Sequence, residues 1–207
     1  MEFHNSYREI MNGVDPLCKI AEKLNDTFKD INLDSLPKNC DTVISIAPLM
    51  ISGVKREQVL IDTHQDYYIA RDTKTNTIYM CFRNILVIDI DEPIDIQHFN
   101  KYKDYAFRIY KTQSGYHVFC ISDYFEYRSE FSVKFMLQNF ADFYYSVFSY
   151  IRGYSVRLNP KFNEHYPIYS DLGVFGDPDI INSNIDELVK KHYSLCDNYK
   201  DNVCLPK

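Results

Sequence analysis

Ile85-Leu86-Val87-Ile88-Asp89-Ile90-Asp91-Glu92 is the stretch on which the fold turns. Its first four residues are continuously apolar, the pattern of a central strand buried on both faces. Side chains alternate across a strand, so Asp89 and Asp91 are expected on one side, about 7 Å apart. Two acids at the end of a buried apolar strand are costly unless something neutralises them, and a divalent cation does so well. The plainer reading is a strand running out into solvent with idle, hydrated acids.

Working outward, Ala106–Lys111 and Tyr116–Ile121 read as two strands joined around Thr112-Gln113-Ser114-Gly115. The Ser-Gly turn fixes a tight bend whose N–H groups could face an anion, and His117 opens the outgoing strand where it could donate to a phosphate. Upstream, Tyr67–Ala70 and Ile78–Phe82 flank Asp72-Thr73-Lys74-Thr75-Asn76, a second hairpin signature. Leu17, Ile20, Ala21, Leu24 and Phe28 recur at helical spacing after Asp15-Pro16, predicting an amphipathic helix to about Ile31. Residues 32–42 read as loop, Val43–Ile46 as a short strand ended by Pro48, and 94–103 as a short helix.

Downstream, Phe131, Phe135, Phe140, Phe143, Tyr144, Val147, Phe148 and Ile151 hold one face, predicting one long helix over Ser129–Arg152 that Gly153 ends. That aromatic stripe could stack bases, but its spacing is first that of a core face. Tyr154–Leu158 reads as a further strand, and Ser183-x-x-Asp186 as the capping box of a last helix to about Leu195. The expected fold is α/β (α+β): a mostly antiparallel, palm-like sheet packed by helices. One domain over 1–207 is expected, with a helical lead-in (1–42), a core (43–175) and a C-terminal helix (176–207).

Composition bounds the rest. The 207 residues carry 45% hydrophobic and 25% charged residues, a globular balance in a chain long enough for one substantial core. No apolar run reaches spanning length and the first residues are polar, so neither a membrane partner nor secretion is expected, and an intracellular place is. A net charge of −6 argues against coating nucleic acid over the whole surface, though not against a local basic groove. With 18 Tyr, 14 Phe and only six Gly, the composition is that of a GC-poor gene, as in many large viruses. Six cysteines without a Cys-x-x-Cys pair suggest reduced thiols; Cys196, Cys204 and His192 could at most form a partial zinc site.

A strand ending in Asp-x-Asp, followed by a strand–turn–strand with Ser and His, resembles the archaeo-eukaryotic primase superfamily, which includes primase-polymerases and primase-like proteins of large DNA viruses. The resemblance spans roughly residues 67 to 175. It implies that Asp89 and Asp91 hold catalytic Mg²⁺ or Mn²⁺ and that Ser114 and His117 contact the nucleotide phosphates. The spacing Ser114-Gly115-Tyr116-His117 is one residue longer than the commonest pattern. The family's third motif is a hydrophobic-Asp strand followed by basic residues. Here Arg157 and Lys161 are similar to the basic part, but no acid precedes them, and Asp171 in Tyr169-Ser170-Asp171-Leu172-Gly173-Val174-Phe175 is the nearest candidate for the third carboxylate.

The resemblance therefore implies a nucleotidyltransferase of DNA replication that binds a single-stranded DNA template and nucleoside triphosphates, with other replication proteins as further partners. Two alternatives stand beside it. One is a primase fold without catalysis, kept for binding nucleic acid or protein. The other is a phosphatase of the haloacid dehalogenase kind, with Asp89 as nucleophile, Asp91 as general acid, and Thr112, Lys134 and Gly176-Asp177-Pro178-Asp179 as later motifs.

Overall fold

The computed structural model describes residues 35–53 and 58–205, so the helix expected over 16–31 lies outside the described residues. Elements follow in the order α1 (Cys40–Gly53), β1 (Gln58–Thr63), β2 (Tyr67–Asp72), β3 (Ile78–Phe82), β4 (Val87–Ile90), a 3-10 helix (Ile96–Lys101), β5 (Ala106–Lys111) and β6 (Tyr116–Cys120). Then come α2 (Glu130–Gln138), α3 (Phe143–Arg152), β7 (Tyr154–Arg157), β8 (Ser170–Gly176), a short 3-10 turn (Pro178–Ile180) and α4 (Ser183–Tyr199).

The strands form two four-stranded sheets, β1-β2-β3-β7 and β4-β6-β5-β8. All six pairings are antiparallel. The fold is thus mixed α/β with antiparallel sheets, and the parallel, helix-crossed sheet that the phosphatase alternative needs is absent among the described residues. β4 also touches β7, so the two sheets adjoin along β4.

Each face of the second sheet packs differently, as strand alternation dictates. Phe107, Val118 and Ile88 share one face, where Phe107 stacks near Phe135 of α2 and Phe99 of the 3-10 helix. Arg108, Tyr110, His117 and Phe119 share the other, under α4: Tyr110 stacks on Tyr193, and Phe119 meets His192. Sequence alternation in these strands is therefore hidden, because both faces are buried.

Two expectations for the helices are corrected. Val43–Ile46 is not a strand but lies within α1, opened by Asn39 Oδ1, which accepts the N–H of Thr42 at 2.9 Å; Pro48, read as a strand's end, falls inside the helix. A short β-branched run is ambiguous between strand and helix, and the cap decides it. The single helix over Ser129–Arg152 is two, α2 and α3, broken at 139–142 without Gly or Pro. Phe140 adopts φ 65°. The fully buried Asn139 takes hydrogen bonds from His98 Nε2 and the Tyr102 hydroxyl and donates to the Phe135 carbonyl. Asp142 then caps α3 by accepting from Tyr145 N at 2.7 Å. Gly153, at φ 93°, ends α3 as expected. The last helix is capped by Asn182, whose side chain accepts from Asn184 and Ile185 N–H, rather than by the Ser183 box.

The β5–β6 turn depends on glycine for close approach. A Cβ at Gly115 would stand 1.8 Å from the carbonyl oxygen of Ile90, the last residue of β4. The contact holds the turn against the strand end that carries the acids. Gly115→Ala is expected to lower the free energy of unfolding by about 2–3 kcal/mol, read from the urea midpoint.

Candidate active site

β4 ends at Ile90, with Asp89 inside the strand and Asp91 just past it. Register places Asp89 directly opposite His117 of β6, and His117 Nε2 stands 3.2 Å from Asp89 Oδ1. The main chain of Asp89 is also engaged: its carbonyl accepts the N–H of Asp142 at 2.8 Å. The break between α2 and α3 thus bonds to the main chain of β4, and the charge of Asp142, which sequence reading did not single out, reaches Asp91.

Electrostatics confirm that the acids sense one another. Burial raises the proton affinity of Asp89, but the hydrogen bond and charge of His117, with Arg157 and Lys161 farther out, hold its carboxyl below the ordinary range. Asp91 is pushed the other way, upward, by burial, by Asp89 and by Asp142, with Lys161 and His117 opposing. Lys161 and His117 therefore offset the burial and the neighbouring acids at Asp91 only in part.

Arg157, at the end of β7, and Lys161 share one partner, Glu164. Its mostly buried carboxylate lies 3.7 Å from Arg157 Nη1 and 3.6 Å from Lys161 Nζ, and it accepts the Lys161 N–H at 2.9 Å. Ser114 is exposed in the turn beside Gly115. The Gly115 N–H, expected to be open to an anion, donates instead to Thr112 Oγ1 at 3.0 Å. His117 is turned inward: Nε2 faces Asp89, and Nδ1 is buried without a partner.

The structure thus pairs Asp89 with His117 and puts Asp91 just past the strand, where the charges of Arg157 and Lys161 reach Asp89 and that of Lys161 reaches Asp91, while Ser114 lies on the turn held against Ile90. It does not bring Asp171 to them. Asp171 pairs in register with Tyr110 on β8, three strand spacings from β4, or about 14 Å. There its carboxylate accepts from Arg108 Nη1 at 2.8 Å, while Asp186 of α4 takes Arg108 Nε at 2.6 Å. Asp171 itself is exposed, and the buried Arg108–Asp186 pair behind it pins α4 to the sheet.

Among the described residues no three His, Cys, Asp or Glu side chains already stand together for one metal ion. The carboxylate oxygens of Asp89 and Asp91 are of the donor type that suits a hard divalent cation, whose remaining ligands would come from outside the chain, as is usual for Mg²⁺ with substrate phosphates. The partial zinc site is not assembled: the Cys196 thiol donates to the His192 carbonyl, Cys204 lies against Thr77 Oγ1, and His192 Nε2 faces the Arg157 carbonyl. His192 is fully buried and depressed to about 3 by burial and by His117, so it is neutral. No helix of the described residues is long and apolar enough to cross a membrane. No family model, curated protein or solved structure matches the chain.

The opposed shifts have opposed effects on stability. Asp89, lowered in the fold, contributes stability that is present above the unfolded carboxyl value near 4 and lost as pH falls through its folded value. His117→Ala removes the donor and is expected to cost about 1–3 kcal/mol at pH 7 and to flatten the acid limb of stability against pH. Asp91, raised in the fold, destabilises it when ionised. Asp91→Asn is expected to gain up to about 0.5 kcal/mol at pH 7, small because the side chain is exposed, with the gain disappearing below about pH 4 in urea titrations run across pH.

Proposed function

We propose that this chain is a divalent-metal-dependent nucleotidyltransferase, resembling the catalytic domain of a DNA primase or primase-polymerase, that adds nucleotides to a strand on a single-stranded template. The observation that carries the reading is the meeting of a carboxylate pair and a cation pair at one end of β4, with the β5–β6 turn held against it.

Asp89 and Asp91 would hold Mg²⁺ or Mn²⁺, and Asp142, whose charge Asp91 feels, is the third carboxylate in place of Asp171. A bound divalent cation supplies Lewis acidity to an attacking 3′-hydroxyl and to the phosphates it attacks. His117 orients the Asp89 carboxylate through Nε2 rather than reaching the triphosphate itself. Arg157 and Lys161 carry charge suited to phosphate oxygens, Arg157 through its planar fork and Lys161 as a half-exposed point charge. The exposed Ser114 hydroxyl is the turn's remaining donor toward a nucleotide.

A second reading keeps the same surface for binding without chemistry. β7 carries no acid, and Asn159 just beyond it is buried and committed to main-chain bonds with Ile78 and Asn76. The deciding measurement is primer synthesis or extension on single-stranded DNA with Mg²⁺ or Mn²⁺. Turnover by the wild type that falls at least about a hundredfold in Asp89→Ala supports the transferase. Equal inertness of the two proteins removes it, and strand binding without turnover favours the second reading.

A further inference from the structure

The segment between β7 and β8, residues 158–169, is tied down along its length. The Asn159 side chain is fully buried and takes the Ile78 N–H at 2.8 Å; the Cys204 N–H donates to the Pro160 carbonyl; Glu164 closes back on Lys161; and the Tyr169 N–H donates to the Lys111 carbonyl at 2.7 Å. Pro167 and Ile168 are buried. Yet from this anchored backbone Phe162 stands 59% exposed, Tyr166 44% and Tyr169 48%. None of the three makes a ring contact among the described residues. Aromatic rings usually find cover, and three left open on one fixed segment mark a surface built to meet something.

What it meets is indicated by what lies at the segment's two ends. Lys161, next to Phe162, is close enough to Asp89 and Asp91 to lower their proton affinity. Tyr169 is bonded to Lys111, whose ammonium lies 4.2 Å from the Tyr116 ring and bonds the Gly115 carbonyl in the turn against β4. The rings therefore run between two lysines that both flank the acid-bearing end of β4. Flat faces bounded at both ends by cations match unpaired bases strung on a phosphate backbone, since every base has a face to stack and every linkage a charge to neutralise.

We propose that residues 161–169 form a stacking platform for single-stranded nucleic acid, with Phe162, Tyr166 and Tyr169 taking bases and Lys161 and Lys111 the phosphates at its two ends. The platform deepens the transferase reading by naming where an unpaired strand lies beside the acids. Being held open before the strand arrives, it loses little entropy on binding.

The test is fluorescence anisotropy with labelled oligothymidylate, in chelator and without nucleotides, so that binding is measured apart from catalysis. The wild type is expected to bind it, and to bind a duplex of equal length more weakly. Phe162→Ala, Tyr166→Ala and Tyr169→Ala each weaken binding about tenfold without changing its salt slope, whereas Lys161→Ala reduces that slope by about 0.7. Circular dichroism and urea midpoints identical to the wild type's establish that these surface changes leave the fold intact. Absence of oligothymidylate binding by the wild type, or unchanged affinity in all three ring variants, overturns the platform. Ring-dependent binding by a protein that extends no primer leaves the platform standing and overturns only the transferase, while primer extension with ring-independent affinity does the reverse.

Discussion

Asp89 is bound twice, and the rest of the arrangement follows from both bonds. Its carbonyl accepts the N–H of Asp142, and its carboxylate faces His117 across the β4–β6 ladder. The first bond fixes where the helices after β6 must break; the second fixes an acid in its ionised form at the bottom of the site. A strand as apolar as Ile85–Ile88 can end in a carboxylate only because both polar ends of that residue are satisfied.

Charge is distributed by the same logic. The sheet face under α4 carries Arg108 between Asp171 and Asp186, and Lys190 adds a second cation at 2.7 Å from Asp186. Such a network adds little net stability over apolar packing, but losing one member leaves buried charge unpaired, so it specifies how α4 docks. At the other edge the balance is left incomplete. Glu164 is shared by Arg157 and Lys161, whereas at Asp91 the acids Asp89 and Asp142 outweigh Lys161 and His117. Networks that close serve packing; the one that stays open is where an outside charge is welcome.

Legibility in the sequence divides along the same line between local and tertiary causes. Both hairpins, β4, the short helix after it and the end of α3 at Gly153 could be read directly, because alternation, turn residues and a terminal glycine are local signals. Asp89 was placed on its strand by the same local pattern, but Asp91 lies past the strand's end, and the pairing of Asp89 with His117, which was expected to face a phosphate, comes from a register the sequence does not display. The break at Asn139–Asp142 was not readable. Its residues would sit acceptably in a helix, and what breaks it is a set of partners (His98, Tyr102 and the Asp89 carbonyl) that are distant in sequence. The strand of β8 was also missed, since its exposed, glycine-containing residues lack a strand's apolar pattern and pair only because β5 offers an open edge.

The misplaced Asp171 shows how topology overrides order along the chain. Asp171 follows the basic segment in sequence, yet the sheet order β4-β6-β5-β8 sends it to the far edge, where a buried guanidinium already claims it. Asp142 sits in a run read as uninterrupted helix, yet the break turns its main chain toward Asp89 and sets its charge against Asp91. The charge of a third acid is thus felt by the pair, at Asp91, from a helix start instead of a strand. Its carboxylate is partly spent capping Tyr145 N, which ties the geometry of the acids to the packing of α3 against α1 and β7. Repacking of those helices would be felt at Asp89 through its bond to the Asp142 N–H and at Asp91 through the Asp142 charge.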